Sequence, residues 1–221
     1  MGKRKYLYLG SLAFCIYKYL AISSFSSNYN FTWPLPSENK IGLLVYGEVS
    51  PADFTFVKEV VESVYKVKTE TVVRNPQELQ AVYDPSRQQY NIDHLLDQLE
   101  KDLPSQYFRG LVVLDKDIFG DGTNYVFGTG DNPGRLAVLT VKGYGLRVGQ
   151  YRLEKNIFKK ILRSLVLHEL GHTLGLFHCE NKCVMEFGNN ILWELRKGDR
   201  YCNQCQEKLI KLSQPGYRLQ T

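Results

Sequence analysis

Apolar positions fall into two patterns that alternate along most of the chain: short continuous runs, and faces spaced as on a helix. Ile41-Gly-Leu-Leu-Val-Tyr46 is an apolar run of strand length. Pro51 suits a first helical turn and opens a stretch to about Tyr65, with Phe54, Val57, Val61 and Val64 on one face. Thr69 to Arg74 is β-branched and reads as a strand. Ile92 to Leu99 has helical spacing, with His94 on its solvent side, and Gly110 to Leu114 is a third buried strand. Asp115-Lys-Asp117 follows it as a solvated loop. Asn124 to Gly128 and Leu136 to Val141 are two more strands. The glycine-rich link between them, Gly128 to Gly134, lacks both phosphate-loop spacings and reads as a loop. From about Glu154 the chain turns helical, with Ile157, Ile161, Leu165 and Leu167 leading in, and a short helix from Gln206 to Leu212 comes last. Internal repeats are absent.

The long helix carries the chemistry. Three of the four histidines fall in His168-Glu-Leu-Gly-His172-Thr-Leu-Gly175-Leu-Phe-His178. Helix positions i and i+4 share a face, so His168 and His172 can offer nitrogens to one zinc at about 2.0–2.1 Å. Gly175 can take the left-handed conformation that ends a helix and reverses the chain, which brings His178 back as a third ligand. Three protein ligands leave the fourth position for water, the mark of a catalytic zinc. Glu169, next to the first ligand, is placed to take that water's proton. The alternative is a buried helix with hydrogen-bonded core histidines, which does not account for five fixed positions. The motif resembles that of metzincin peptidases.

Cys179, Cys183, Cys202 and Cys205 suit a closed, four-thiolate zinc site, the last two as C-x-x-C. Two disulfides or a redox C-x-x-C are the alternatives. Met185 lies seven residues past His178, where metzincins carry a methionine turn beneath the metal; plain core filling is the other reading. Together these features resemble the archaemetzincin family, which couples a metzincin helix to a four-cysteine zinc site. Ala81 to Asn91, with Arg87, Gln89 and Tyr90, and Asn124-Tyr-Val-Phe-Gly128 resemble two further family segments. The spacing departs slightly: three residues separate Cys179 from Cys183 where the family pattern has four, and Met185 to Cys202 is one residue short.

The expected fold is therefore α/β, a zincin-type (metzincin) domain. It would hold a mixed twisted sheet with backing helices, the active-site helix, and a small C-terminal subdomain carrying the four-Cys zinc site. Leu136–Val141 is the expected edge strand for an extended peptide in the cleft. The resemblance implies a zinc metallopeptidase with two zinc ions per chain, one catalytic and one structural. Its substrates would be peptides or proteins. The competing functions are a catalytically weak, zinc-stabilised peptide-binding protein and a zinc hydrolase of a non-peptide amide. Glu169 argues against the first, because a binding module needs no base there.

Composition changes this picture only at the N-terminus. The chain has 221 residues, 43% hydrophobic, with net charge +5. Residues 1–39 hold four basic groups and one acidic, so the rest is nearly balanced and gives no case for nucleic-acid binding. The expected division is a segment and linker at 1–39 and the peptidase domain at 40–221, as a monomer. Lys3-Arg-Lys5 precedes an apolar stretch over residues 6–22, which reads as a signal peptide or membrane anchor, with a cytoplasmic protein as the alternative. Cys15 falls inside that stretch and is not a zinc ligand.

Overall fold

Continuous apolar runs become central strands here. The computed structural model describes residues 39–142, 154–188 and 191–212, which belong to one compact unit, Thr32–Thr221. Strands β1 (Lys40–Tyr46), β2 (Lys68–Arg74), β5 (Arg109–Leu114), β7 (Gly128–Gly130) and β8 (Leu136–Thr140) form a sheet in the order β2-β1-β5-β8-β7. All pairings are parallel except β7 with β8. Helix α1 (Pro51–Tyr65) links β1 to β2, α2 (Ile92–Asp102) precedes β5, and α3 (Lys155–Thr173) follows β8.

Alternate strand residues face opposite layers. Leu44, Tyr46, Val112, Leu114 and Val138 join Leu95 and Leu99 of α2 in one core. On the other face α3 packs on β7, β8 and α1. Its buried side chains include Ile157, Ile161, Leu165 and Leu167, the residues expected to seat it. Ser50 caps α1, its hydroxyl accepting from the Asp53 N–H at 3.2 Å, and Pro51 takes the first turn, where a missing N–H costs nothing. His94 is exposed on α2, as expected.

A small second sheet, β3 (Tyr83–Asp84), β4 (Gln89–Asn91) and β6 (Asp117–Phe119), has no clear signal in the sequence because its strands are so short. It matters for the site. Arg87 donates to the carbonyls of Thr123 and Asn124 at 3.0 and 2.9 Å, and Gln89 donates to Asn124 at 3.1 Å. The Arg-x-Gln-Tyr segment thereby fixes the start of the cleft wall. Asp115 and Asp117 are not merely solvated. Asp115 accepts the Glu48 N–H at 2.8 Å, and Asp117 is half-buried in β6.

Two strand expectations are corrected. Leu136–Val141 is not the edge: β8 is paired on both sides, by β5 and β7. Its residues are buried on both faces, as a central strand requires. Among the described residues the sheet edges are β2 and β7, and the one that lines the cleft is β7, inside the stretch read as a loop. Upstream, Asn124–Phe127 makes only an isolated bridge, Val126 to Ile118.

Candidate active site

The three histidines of the motif converge. One turn apart on α3, His168 and His172 bring their Nε2 atoms to 3.0 Å. Four-coordinate zinc with bonds of about 2.05 Å would space its nitrogens by about 3.3 Å, so the pair fits an ion. Gly175 takes φ +91 where the helix ends, a conformation that favours glycine. The chain then turns back, and the His178 ring comes 5.3 and 5.0 Å, centroid to centroid, from those of His168 and His172. One ring nitrogen from each histidine lies within 4.8 Å of the others.

Backbone carbonyls set the tautomers. His168 Nδ1 donates to Val184 O and His172 Nδ1 to Leu176 O, both at 2.8 Å. A proton held on Nδ1 leaves the Nε2 lone pair for a metal. Burial lowers the pKa of all three histidines, most strongly at His168, and so favours the neutral, ligand form. Glu169 is buried beside them. Desolvation pushes its carboxyl up to about 8, Lys197 opposes that rise and Glu194 adds to it.

Beneath α3 sits Met185, fully buried. A Cβ at Gly171, between the two helical histidines, would lie 2.6 Å from its sulfur. Methionine thus supports the helix where no larger residue than glycine fits. Tyr201 braces the same turn, donating to Leu167 O at 2.5 Å.

The four cysteines form a second cluster. Their sulfurs lie within 4.8 Å of one another, with Cys179 to Cys202 at 3.8 Å and Cys183 to Cys205 at 3.7 Å. Tetrahedral Zn–S bonds of about 2.3 Å give sulfur separations of about 3.8 Å, whereas a disulfide needs about 2.05 Å. The thiols are free and fit one zinc. Cys183 Sγ accepts from the backbone N–H groups of Met185 and Cys202, at 3.5 and 3.3 Å. The contact between the Cys183 and Cys205 thiols holds the Cys183 pKa down and pushes that of Cys205 up.

A cleft of about 650 Å³ opens on the histidines. One wall is β7, whose glycines let its backbone press on α3. A Cβ at Gly130 would collide with the backbone carbonyl of Glu169, and one at Gly128 would lie 2.9 Å from Glu169 Oε1. Gly130→Ala should therefore destabilise the protein by about 1–3 kcal/mol, because a rigid carbonyl cannot move aside. Thermal unfolding checks this; a melting temperature equal to the parent's would show that β7 has room to shift.

The opposite wall was missed by sequence reasoning. It includes Phe187, Gly188, Glu194 and Lys197. Glu194 lies on helix α4 (Ile191–Arg196) and pairs with Lys197, Nζ to Oε2 at 2.8 Å, with both side chains almost wholly buried. A Glu and a Lys three residues apart read as a surface ion pair, and nothing in the pattern marked this one as buried.

The profile of peptidase family M54 matches residues 51–211, which include every site residue above. The chain belongs to this family, the archaemetzincins. It is a zinc metallopeptidase, a hydrolase. The archaemetzincin of Nanoarchaeum equitans is 36% identical over 132 residues, covering 59% of this chain and 68% of that protein. That of Methanocaldococcus jannaschii is 40% identical over 130 residues, covering 58% and 69%. The crystal structure of the Methanopyrus kandleri archaemetzincin superposes with a TM-score of 0.66 at 30% identity, covering 81% of this chain and 97% of that one.

The comparison also corrects the expected location. Membrane anchoring or export through residues 6–22 gains no support from these archaemetzincin relatives, and no described helix is long and apolar enough to cross a membrane. Residues 6–22 themselves, with Cys15, lie outside the described residues.

Proposed function

We propose that this archaemetzincin hydrolyses peptide bonds with two zinc ions: a catalytic one held by His168, His172 and His178, and a structural one held by Cys179, Cys183, Cys202 and Cys205. The observation that carries this is the pairing of an open three-nitrogen cluster on the cleft with a closed four-sulfur cluster behind it. Bound at the histidines, zinc would supply Lewis-acid chemistry toward a water and a carbonyl oxygen. Glu169 is the general base, its buried carboxylate receiving a proton from the attacking water and passing it to the leaving amine. Val184 O and Leu176 O keep the imidazoles in the ligating tautomer. An extended peptide or protein segment lies along the free edge of β7, its strand hydrogen bonds orienting the scissile bond. Gly175 and Met185 act as supports, one by the turn and one from beneath the helix. The peptidase domain is taken as residues 40–221, an extent that encloses the family match.

Metal analysis tests this assignment. Purified protein should hold two zinc ions per chain, and a mild chelator should remove one first, with loss of peptide cleavage but not of fold. The open site loses its ion sooner because it has three protein ligands and a solvent path. A single zinc, or release of both ions in one step with unfolding, would contradict the two-site assignment.

A further inference from the structure

Lys197 is the one lysine among the described residues lining the cleft, and its side chain is 1% exposed. Among the described residues its recorded partner is Glu194, and Glu194 Oε2 has no well-directed hydrogen bond despite the 2.8 Å contact. The two therefore meet as charges, and an ammonium with three N–H donors keeps capacity for a ligand. Two apolar residues of similar volume would be neutral or stabilising at such a place, so packing alone does not call for the pair.

Lys197 lines the same cleft as His168, Glu169, His172 and His178. Three other polar groups are engaged elsewhere or exposed. Asn132 donates to Leu176 O at 2.8 Å, Tyr201 donates to Leu167 O, and Tyr125 is 48% exposed. A substrate carboxylate is a poor occupant here, because Glu194 already places a carboxyl group beside the ammonium and Glu169 lines the same cleft. A carbonyl oxygen, neutral at first and negative only during reaction, suits it better.

We propose that Lys197 is a further catalytic residue: its ammonium, positioned by Glu194, donates a hydrogen bond to the scissile carbonyl oxygen and stabilises the charge that builds there. The proposal rests on the peptidase function above. As the water oxygen bonds to the carbonyl carbon, the π pair moves onto the carbonyl oxygen. Lys197 keeps its three protons throughout, and the pair returns to re-form the C=O bond as the C–N bond breaks. Preorganised donors of this kind act most strongly on the transition state.

The test compares wild type, Lys197→Met, Lys197→Arg and the double variant Lys197→Met with Glu194→Leu. Four quantities are read: kcat and KM on one neutral peptide, zinc content, melting temperature, and affinity for a phosphinic peptide that mimics the tetrahedral anion. Lys197→Met should lower kcat by about 10²–10³ and phosphinic affinity by a similar factor, with KM and zinc content nearly unchanged. Lys197→Arg should recover part of the loss. The double variant should melt at or above the single variant, since no buried carboxylate is left unpaired, yet remain as slow. Near-normal kcat in the double variant would reduce Lys197 to a structural partner of Glu194. Losses confined to KM on acidic peptides would make it a subsite charge. Either result overturns the catalytic role. If Glu169→Gln is slow and Lys197→Met is not, the peptidase function stands and only the Lys197 role falls; a zinc-loaded wild type that cleaves no peptide overturns both.

Discussion

Glu169→Gln should lower peptide hydrolysis by roughly 10²–10⁴-fold while zinc content stays at the wild-type value. Glutamine keeps the shape of the side chain, which is buried under Gly128, so the fold has no reason to change. It cannot accept a proton, so the attacking water loses its base. The histidine nitrogens, fixed by carbonyl acceptors on Val184 and Leu176, do not depend on the carboxylate. Metal content should therefore be indifferent to the change, and that separates a base from a ligand. A pH series adds a second readout. With the catalytic site free of metal, burial raises the Glu169 pKa from 4.5 to about 8. Between those pH values the folded protein binds the proton more tightly than the unfolded chain, so wild-type stability falls as pH rises through the window. The glutamine variant lacks that loss, and its stability relative to wild type should improve from pH 5 to pH 8. Full activity in the variant, or loss of zinc from it, would end the general-base assignment.

Most of the sheet and the members of both the histidine and the cysteine cluster could be read from residue patterns, for a simple reason. Central strands bury both faces and so read as unbroken apolar runs, as at Ile41–Tyr46 and Gly110–Leu114. Metal ligands must sit at spacings that a helix or loop can bring together, and those spacings survive in the sequence. Leu136–Val141 was misplaced at the edge although its run of apolar residues already argued for a strand covered on both faces. The edge on the cleft, Gly128–Gly130, carries no side-chain pattern to read. Its glycines are there because the backbone of β7 lies against Glu169 and His172, a demand set by tertiary packing alone. Glu194 and Lys197 were invisible for the opposite reason. Charged residues in a short helix read as solvent-facing, and only the fold shows that they form a cleft wall.

Cys202→Ser or Cys205→Ser should lower the melting temperature and also weaken catalytic zinc binding by about 10–100-fold, although neither residue touches that site. The coupling follows from how the two clusters share backbone. Cys179 is bonded directly to His178, and its N–H donates to Met185 O at 2.9 Å. Cys183 is bonded to Val184, whose carbonyl takes the His168 Nδ1 proton and whose N–H donates to Arg200 O at 3.0 Å, near Cys202. Tyr201, next to Cys202, holds Leu167, next to His168. Four tethers thus run from the sulfur cluster to two of the three histidines and to the methionine beneath them. Binding energy at a structural zinc is folding energy, so the loss of one thiolate loosens all four at once. Metal content, chelator competition at the open site and thermal unfolding measure the effect together. Cys15→Ser, outside the described residues and outside both clusters, should leave zinc content and melting temperature unchanged. A Cys202→Ser protein that melts like wild type and keeps full activity would show that the two sites are independent. A protein that is less stable but keeps wild-type affinity at the histidines would show that the sulfur cluster supports the fold without positioning the catalytic ion.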